Sequence, residues 1–401
     1  MAPLFGTALA RSGGGLLSHV VSAHPDATLA RHPFLTIFRS LRDALVGDLG
    51  DAEVTAVVPP SAPLQDGYFS AAKRRSLDAI LCGSLDLAVN EEAGAFIAAV
   101  KARCELESPE LVAHLDDLAG ATYREVFDNG LDAIARSRGG GAQRWVGFQE
   151  PWIIDFVPVL ARAYPEARFL VVLRDPRAVV ASMKGIARTD PDQVVNTVSY
   201  ARHWRKYVAL LIRFLDDPSL VGRMQVVCYE RLVMDPEGVT NELADFLGVD
   251  HDPTMMDAAG FVDQRTGAAW SGNSSFETAP GTIDASAADR WRHTLDPDLH
   301  RLIDWLCGPD MVVAGYRPDT DDEQAALRAL AAESRAYSSW RSDDGDMVAD
   351  AGGELLRRAL LREPGPADDD VLRRCFLFPE VRDRLLASGA PLIGPPAAAT
   401  Q

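Results

Sequence analysis

The sequence predicts an α/β fold, a parallel sheet flanked by helices, and three features predict it. Short unbroken apolar runs such as Phe169–Leu173, in RFLVVL, suit strands buried on both faces. Those runs alternate along the chain with apolar positions at helical spacing, the pattern of strand–helix–strand units. A glycine-rich turn, ARSGGG, separates the first apolar run from the first helical one.

The elements follow in order. Pro3 to Leu9 reads as the first strand, and Leu16, Leu17, Val20 and Val21 form the buried face of a helix that ends at Pro25. A proline-rich stretch, Val58 to Gln65, leads into a mostly helical region from Phe69 to about Ser137, with Leu77, Ile80, Leu81, Leu85 and Val89 at helical spacing. Gly139, Gly140 and Gly141 close it. Arg144 to Phe148 reads as a second strand and Trp152 to Tyr164 as a helix. Arg168 to Leu173 is the next strand, followed by a helix from Pro176, a long helix from about Asp192 to Leu215, and a buried strand, MQVVCY, ending at Tyr229. Beyond Gly315 and Tyr316 the composition shifts to Ala, Arg and Asp, with acidic clusters at Asp343, Asp344, Asp346 and at Asp368, Asp369, Asp370. The chain thus divides into an α/β domain over residues 1–318, with a helical insertion over about 40–143, and an acidic, mostly helical extension over 319–401. Packing of that extension is favoured over a partner-docking role.

Composition limits the function. With 401 residues and 47% hydrophobic content the chain can bury a large core, and its net charge of −18 argues against nucleic acid or an anionic membrane as main partner. No apolar window approaches the roughly 18 to 20 residues of a membrane span. The start, MAPLFGTALARSGGGLL, lacks the basic region of a signal peptide, so a cytoplasmic protein is expected. Cys82, Cys104, Cys228, Cys307 and Cys375 show no CxxC spacing; reduced thiols are expected, and no metal site is read.

Two motifs carry chemistry. In GTALARSGGG, Gly6 to Gly15, glycines between strand and helix let backbone N–H groups converge on an anion at the helix N-terminus, and Arg11 can add a bidentate clamp. The GxxxxGK[ST] pattern is absent, which disfavours a metal-assisted nucleotide triphosphatase or kinase. In LRDPRAVVAS, Arg174 stands at a strand end, Pro176 suits the first helical position, and Ser182 lies eight residues past Arg174, so both side chains can reach one phosphate.

Through these motifs the chain resembles the sulfotransferases that use 3'-phosphoadenosine 5'-phosphosulfate (PAPS), in particular bacterial and tyrosylprotein members. ARSG resembles their 5'-phosphosulfate loop, LVVLRDPRAVVAS their 3'-phosphate motif, CYERLVMDPEGVTNELADFLGV their YExL…P…FLG segment, and GNSSF with DRWR their closing segment. The resemblance implies a P-loop-type sheet and nucleotide contacts from Arg11, Ser12, Gly13, Gly14, Gly15, Leu16, Arg174, Ser182, Tyr229, Ser275 and Arg290. It implies metal-free, in-line transfer of a sulfuryl group from PAPS to a hydroxyl or amine of a small-molecule or carbohydrate acceptor, leaving adenosine 3',5'-bisphosphate. Arg11 and the loop amides then stabilise charge, and Glu150 in GFQEPW or His32 in ARHPF serves as general base, with Glu150 placed first. Trp291 is read as core.

Two departures stand out. Gln149 occupies the position of a lysine that assists the bridging oxygen, and Gly14 and Gly15 occupy threonine positions. They leave open an alternative, a weak or inactive sulfotransferase-like protein that binds nucleotide as a scaffold.

Overall fold

The computed structural model describes residues 1–58, 71–140, 143–151, 153–189, 196–272, 281–336, 349–363, 365–387 and 391. Five strands form one parallel sheet: β1 (Ala2–Ala8), β2 (Ala27–Arg31), β3 (Trp145–Pro151), β4 (Arg168–Leu173) and β5 (Met224–Cys228). The order is β2-β3-β1-β4-β5. β1 lies at the centre, with β3 on one side and β4 on the other. The chain leaves in opposite directions from the two sides of such a strand, and the crevice at its carboxyl end is where ligands bind in open parallel sheets.

The chain forms two compact units. The first comprises Met1–Leu64, Arg75–Leu173 and Pro218–Ala285, and holds the whole sheet. Its strands are buried because their residues are apolar on both faces. Leu4, Phe5, Val146, Phe148, Phe169, Leu170 and Val171 are each at most 1% exposed. Phe148 is the hub of an aromatic core, with ring centroids 5.2 Å from Phe5, 5.1 Å from Phe34 and 5.9 Å from Phe38. The spacing of Phe34 and Phe38, four apart at the start of helix α2 (Leu35–Gly47), brings both onto one helical face. Helices Ala93–Glu107 and Tyr123–Ser137 lie within the predicted insertion, the second entered through the Thr122 side chain accepting from Glu125 N.

The second unit comprises Gln65–Arg74, Arg174–Asp217 and Ser286–Gln401. Its described part is helical. Pro176–Thr189 and Thr197–Leu215 are joined there by Pro297–Val313 and by the helices of the acidic extension, among them Glu323–Ala336 and Ala349–Arg362. Asn196 caps Thr197–Leu215, so the long helix begins five residues after the Asp192 read from sequence. The extension is tied in by buried ion pairs. Arg205 Nη2 donates to Glu354 Oε1 at 2.7 Å, and Arg357 Nη2 to Asp310 Oδ2 at 2.8 Å. Arg358 Nη1 adds a bond to the Trp305 carbonyl at 3.2 Å.

β2 is the strand that the sequence reading passes over. Its residues, ATLAR, are short and lack a long apolar run, and its partner β3 lies far along the chain. Trp152 and residues 192–195, which the sequence reading assigns to helices, lie outside the described residues.

Candidate functional site

β1 ends at Ala8, and the chain turns through Leu9–Gly13 into helix α1 (Gly14–Ser22). Ser12 N donates to Leu9 O at 3.0 Å and closes the turn. Arg11 at φ 67° and Gly13 at φ 100° both take left-handed backbone, which aims successive N–H groups inward. No side chain caps α1, and its first turn holds no acidic residue. The amides of Gly14, Gly15 and Leu16 therefore lie at the positive end of a helix with no intrahelical acceptor, the electrostatic requirement for an anion site.

Three side chains, from β2, from β3 and from the residue after β5, close on this turn. A Cβ on Gly13 would lie 2.2 Å from the ring of Tyr229, the residue that follows β5, so the phenol is flush against the loop backbone. A Cβ on Gly14 would lie 2.6 Å from Gln149 Nε2. The carboxamide at the end of β3 thus fills the volume that a side chain at residue 14 would take. Two of the departures noted in the sequence are therefore coupled: a side chain at 14 would require the Gln149 carboxamide to move. Gln149 is 1% exposed, and its Oε1 makes no hydrogen bond. The third side chain is Arg31, at the end of β2; its Nε lies 3.6 Å from the Cβ position of Gly15.

The two base candidates occupy different environments. Strand alternation sends Glu150 to the face opposite Gln149. Its Oε1 accepts the Phe34 N–H at the start of α2, the residue is fully buried, and burial pushes its carboxyl up to about 8. At neutral pH it is mostly protonated, and it serves the helix terminus. His32 follows β2 with φ 49°, its N–H donating to Gln149 O at 2.8 Å. Burial first, then Arg31 and Arg103, hold its imidazole well below its usual value, with the Gln149 side chain opposing them. A neutral ring of this kind can accept a proton.

Residues of the second unit carry the other expected contacts. Arg174 follows β4 directly in the chain; its Nη2 donates to Ala287 O at 3.0 Å and its carbonyl accepts from Trp204 Nε1 at 2.8 Å. Ser182 lies on the Pro176–Thr189 helix and is 1% exposed. Arg290 Nη2 donates to Ser286 Oγ at 2.8 Å. Trp291 is core: it packs on Ala178 and Ala181, with the Arg177 guanidinium 4.2 Å from its ring centre. Ser275 lies outside the described residues.

A sequence model of the sulfotransferase family matches residues 3–253. The chain belongs to the sulfotransferase family. The span covers the sheet, the α1 loop and the Pro176–Thr189 helix, while the acidic extension lies beyond it. Among relatives of this sulfotransferase, a putative protein-tyrosine sulfotransferase of Caenorhabditis briggsae is 27% identical over 205 residues, 48% of this chain and 69% of that one. Carbohydrate sulfotransferase 5 of Mus musculus is 30% identical over 179 residues, 40% of this chain and 44% of that protein. The sulfotransferase domain of the Synechococcus PCC 7002 olefin synthase is similar at 21% identity with a TM-score of 0.44, covering 74% of this chain and 89% of that domain.

Two other features of the sulfotransferase bear on its chemistry. A cavity of about 390 Å³ is lined by His19, Glu110, Arg138, Phe261, Asp263 and Gln264. It borders the β2 edge, where Gln264 Oε1 accepts the Arg31 N–H at 2.8 Å. In the second unit, ligand atoms of His300, Asp304 and Asp319 lie within 4.8 Å of one another. Arg177 Nη1 already sits 3.2 Å from Asp304 Oδ1 and 3.1 Å from Asp319 Oδ2, so these carboxylates are paired with a guanidinium.

Proposed function

We propose that this sulfotransferase moves a sulfuryl group from PAPS to a hydroxyl or amine of a small-molecule or carbohydrate acceptor. The observation that carries the reading is the uncapped first turn of α1, entered through left-handed Arg11 and Gly13 and walled by Tyr229. Nothing acidic stands in that turn, and the amides of its first residues have no intrahelical acceptor, so the residues fit an anionic donor. PAPS, when bound, supplies the activated sulfuryl group and leaves as adenosine 3',5'-bisphosphate.

The roles divide by position. Arg11 and the amides of Ser12 to Leu16 hold the 5'-phosphosulfate, while Arg174, Ser182 and Arg290 hold the 3'-phosphate, with Ser275 as a further contact. His32 takes the acceptor's proton. Its partial exposure and its place beside Gln149 favour it over Glu150, whose carboxyl is fully buried and accepts the Phe34 N–H. The 390 Å³ cavity beside β2 offers part of an acceptor site, of a size typical for small ligands. A small molecule, a sugar or a tyrosine side chain each presents a suitable hydroxyl, and relatives named for two of these classes support the acceptor chemistry.

A second reading, a nucleotide-binding scaffold with little turnover, is favoured by Gln149, which brings no charge to the loop. Transfer of labelled sulfate from PAPS to a panel of phenols, sugars and amines separates the two. The wild-type chain is expected to turn over, and His32→Ala to lower kcat by about 10²- to 10⁴-fold while Glu150→Gln lowers it far less. Tight nucleotide binding with no transfer to any acceptor would leave the scaffold reading in place.

A further inference from the structure

Gln149 and Gly14 leave the middle of the loop without a side-chain charge, and Arg31 stands one strand away. The β2–β3 register pairs Arg31 with Gln149, so the two side chains leave the same face of the sheet. Their contacts agree, Gln149 meeting Gly14 and Arg31 meeting Gly15.

The way Arg31 is held sets it apart from neighbouring arginines. Structural arginines of the same unit use their guanidinium fully. Arg223 donates to the carbonyls of Ala161, Tyr164, Ala167 and Ser219, and Arg124 to Asp86 and to the Ala163 carbonyl. Arg31 is instead pinned through its backbone. Its N–H donates to Gln264 Oε1 at 2.8 Å and its carbonyl accepts from Ser108 Oγ at 2.5 Å. Its Nε is buried and has no hydrogen-bond partner.

The ion pair it does make is shared. Glu107 Oε2 lies 3.7 Å from Arg31 Nη2, 3.9 Å from Arg265 Nε and 3.7 Å from His32 Nδ1, and Glu107 Oε1 lies 3.7 Å from Arg103 Nη2. None of these distances is short enough for a hydrogen bond. Arg31, Arg103 and Arg265 share Glu107, and Asp263 is the other carboxylate acting on Arg31, so the cluster keeps a net positive charge with Arg31 at its α1 side, in a chain whose net charge is −18. Burial makes that excess costly while no anion is present, and it opposes the charge of Arg31 itself.

We propose that Arg31 grips the terminal sulfuryl oxygens of the bound donor at the first turn of α1, supplying the positive charge that Gln149 does not. This rests on the reading of the α1 turn as the phosphosulfate site. The β2 edge thereby becomes part of the donor site, and it places the cation next to His32, where the acceptor's hydroxyl must arrive.

The test uses two ligands that differ by one group, PAPS and adenosine 3',5'-bisphosphate, titrated calorimetrically into the full chain without acceptor. Loss of a charge-assisted contact predicts that Arg31→Gln weakens PAPS about tenfold or more and the bisphosphate by less than about twofold, with Arg31→Lys between wild type and Arg31→Gln on PAPS. Equal losses for both ligands, or none for either, overturn the proposal. If Arg31→Gln does not fold, Glu107→Gln reads the same contact from the other side. It removes the competing carboxylate and is expected to tighten PAPS but not the bisphosphate, and an unchanged ratio overturns the proposal. Wild-type protein that binds neither ligand would instead remove the donor-site reading beneath it.

Discussion

Gly147→Ala is expected to abolish the folded first unit. A Cβ at residue 147 would lie 1.6 Å from Leu4 O and 2.6 Å from Leu4 C, in the backbone of the strand it pairs with. A flexible side chain could swing aside, but this obstacle is the main chain of β1, which also carries the pairing to β4. Overpacking usually costs about 1 to 3 kcal/mol when neighbours can shift. Here the clash is with fixed backbone at the sheet's centre, so the cost is placed above about 4 kcal/mol, the range reserved for severe lesions. Circular dichroism and urea unfolding check it, with Gly353→Ala as the companion. That position meets nothing within 4 Å and lies inside a helix, so alanine there should stabilise by up to about 1 kcal/mol. A Gly147→Ala protein with a normal unfolding curve would contradict the β1–β3 register.

Glu354→Ala is expected to cost the second unit about 3 to 5 kcal/mol, the range for breaking a buried ion pair by removing one partner. The lost carboxylate leaves the Arg205 guanidinium, 8% exposed, without its bidentate partner, and Arg202 Nε, 3.5 Å from the same carboxylate, loses it too. The pair also sets a pH dependence. Burial alone would raise the Glu354 carboxyl, but the charge of Arg205 and its hydrogen bonds outweigh burial and lower it to about 2. A lowered carboxyl stabilises the fold fully above its unfolded value of 4.5 and loses that contribution as pH falls toward about 2. Unfolding curves between pH 6 and pH 2 should therefore converge for wild type and Glu354→Ala at the acid end. A constant gap at all pH values would assign the effect to packing.

The parts legible in the sequence were those encoded locally. Four strands announce themselves as apolar runs, and the α1 loop as glycines at a strand–helix junction, because buried parallel strands and tight anion turns leave little freedom of residue type. β2 escaped because an edge strand of five residues needs no long apolar run, and Thr28 and Arg31 blur the pattern. The coupling of Gly14 with Gln149 escaped for a different reason. The two residues stand far apart in sequence, and only the β1–β3 pairing brings the carboxamide into the space above residue 14. Read singly, each looks like a lost contact; together they show one filled volume.

The acidic extension shows the same limit in its charges. Glu354, Arg357 and Arg358 lie in a helical extension that the sequence read as packed without naming its contacts; each is under 10% exposed and bound to Arg205, Asp310 or the Trp305 carbonyl. A charge pattern alone cannot distinguish a wet face from one buried against complementary charges. Glu150 is a related case. The sequence places it near a strand end as a base candidate, and only the fold shows that its carboxyl also accepts the Phe34 N–H at the start of α2.

The central proposal, that the α1 turn and the residues Arg174 and Ser182 each contact one doubly phosphorylated nucleotide, is tested most directly by calorimetric titration of the purified chain with adenosine 3',5'-bisphosphate. One site per chain is predicted, with Arg174→Ala weakening it by about one to two decades and Ser182→Ala by less. No uptake by the wild-type chain, or equal affinity in wild type and both variants, would contradict the account.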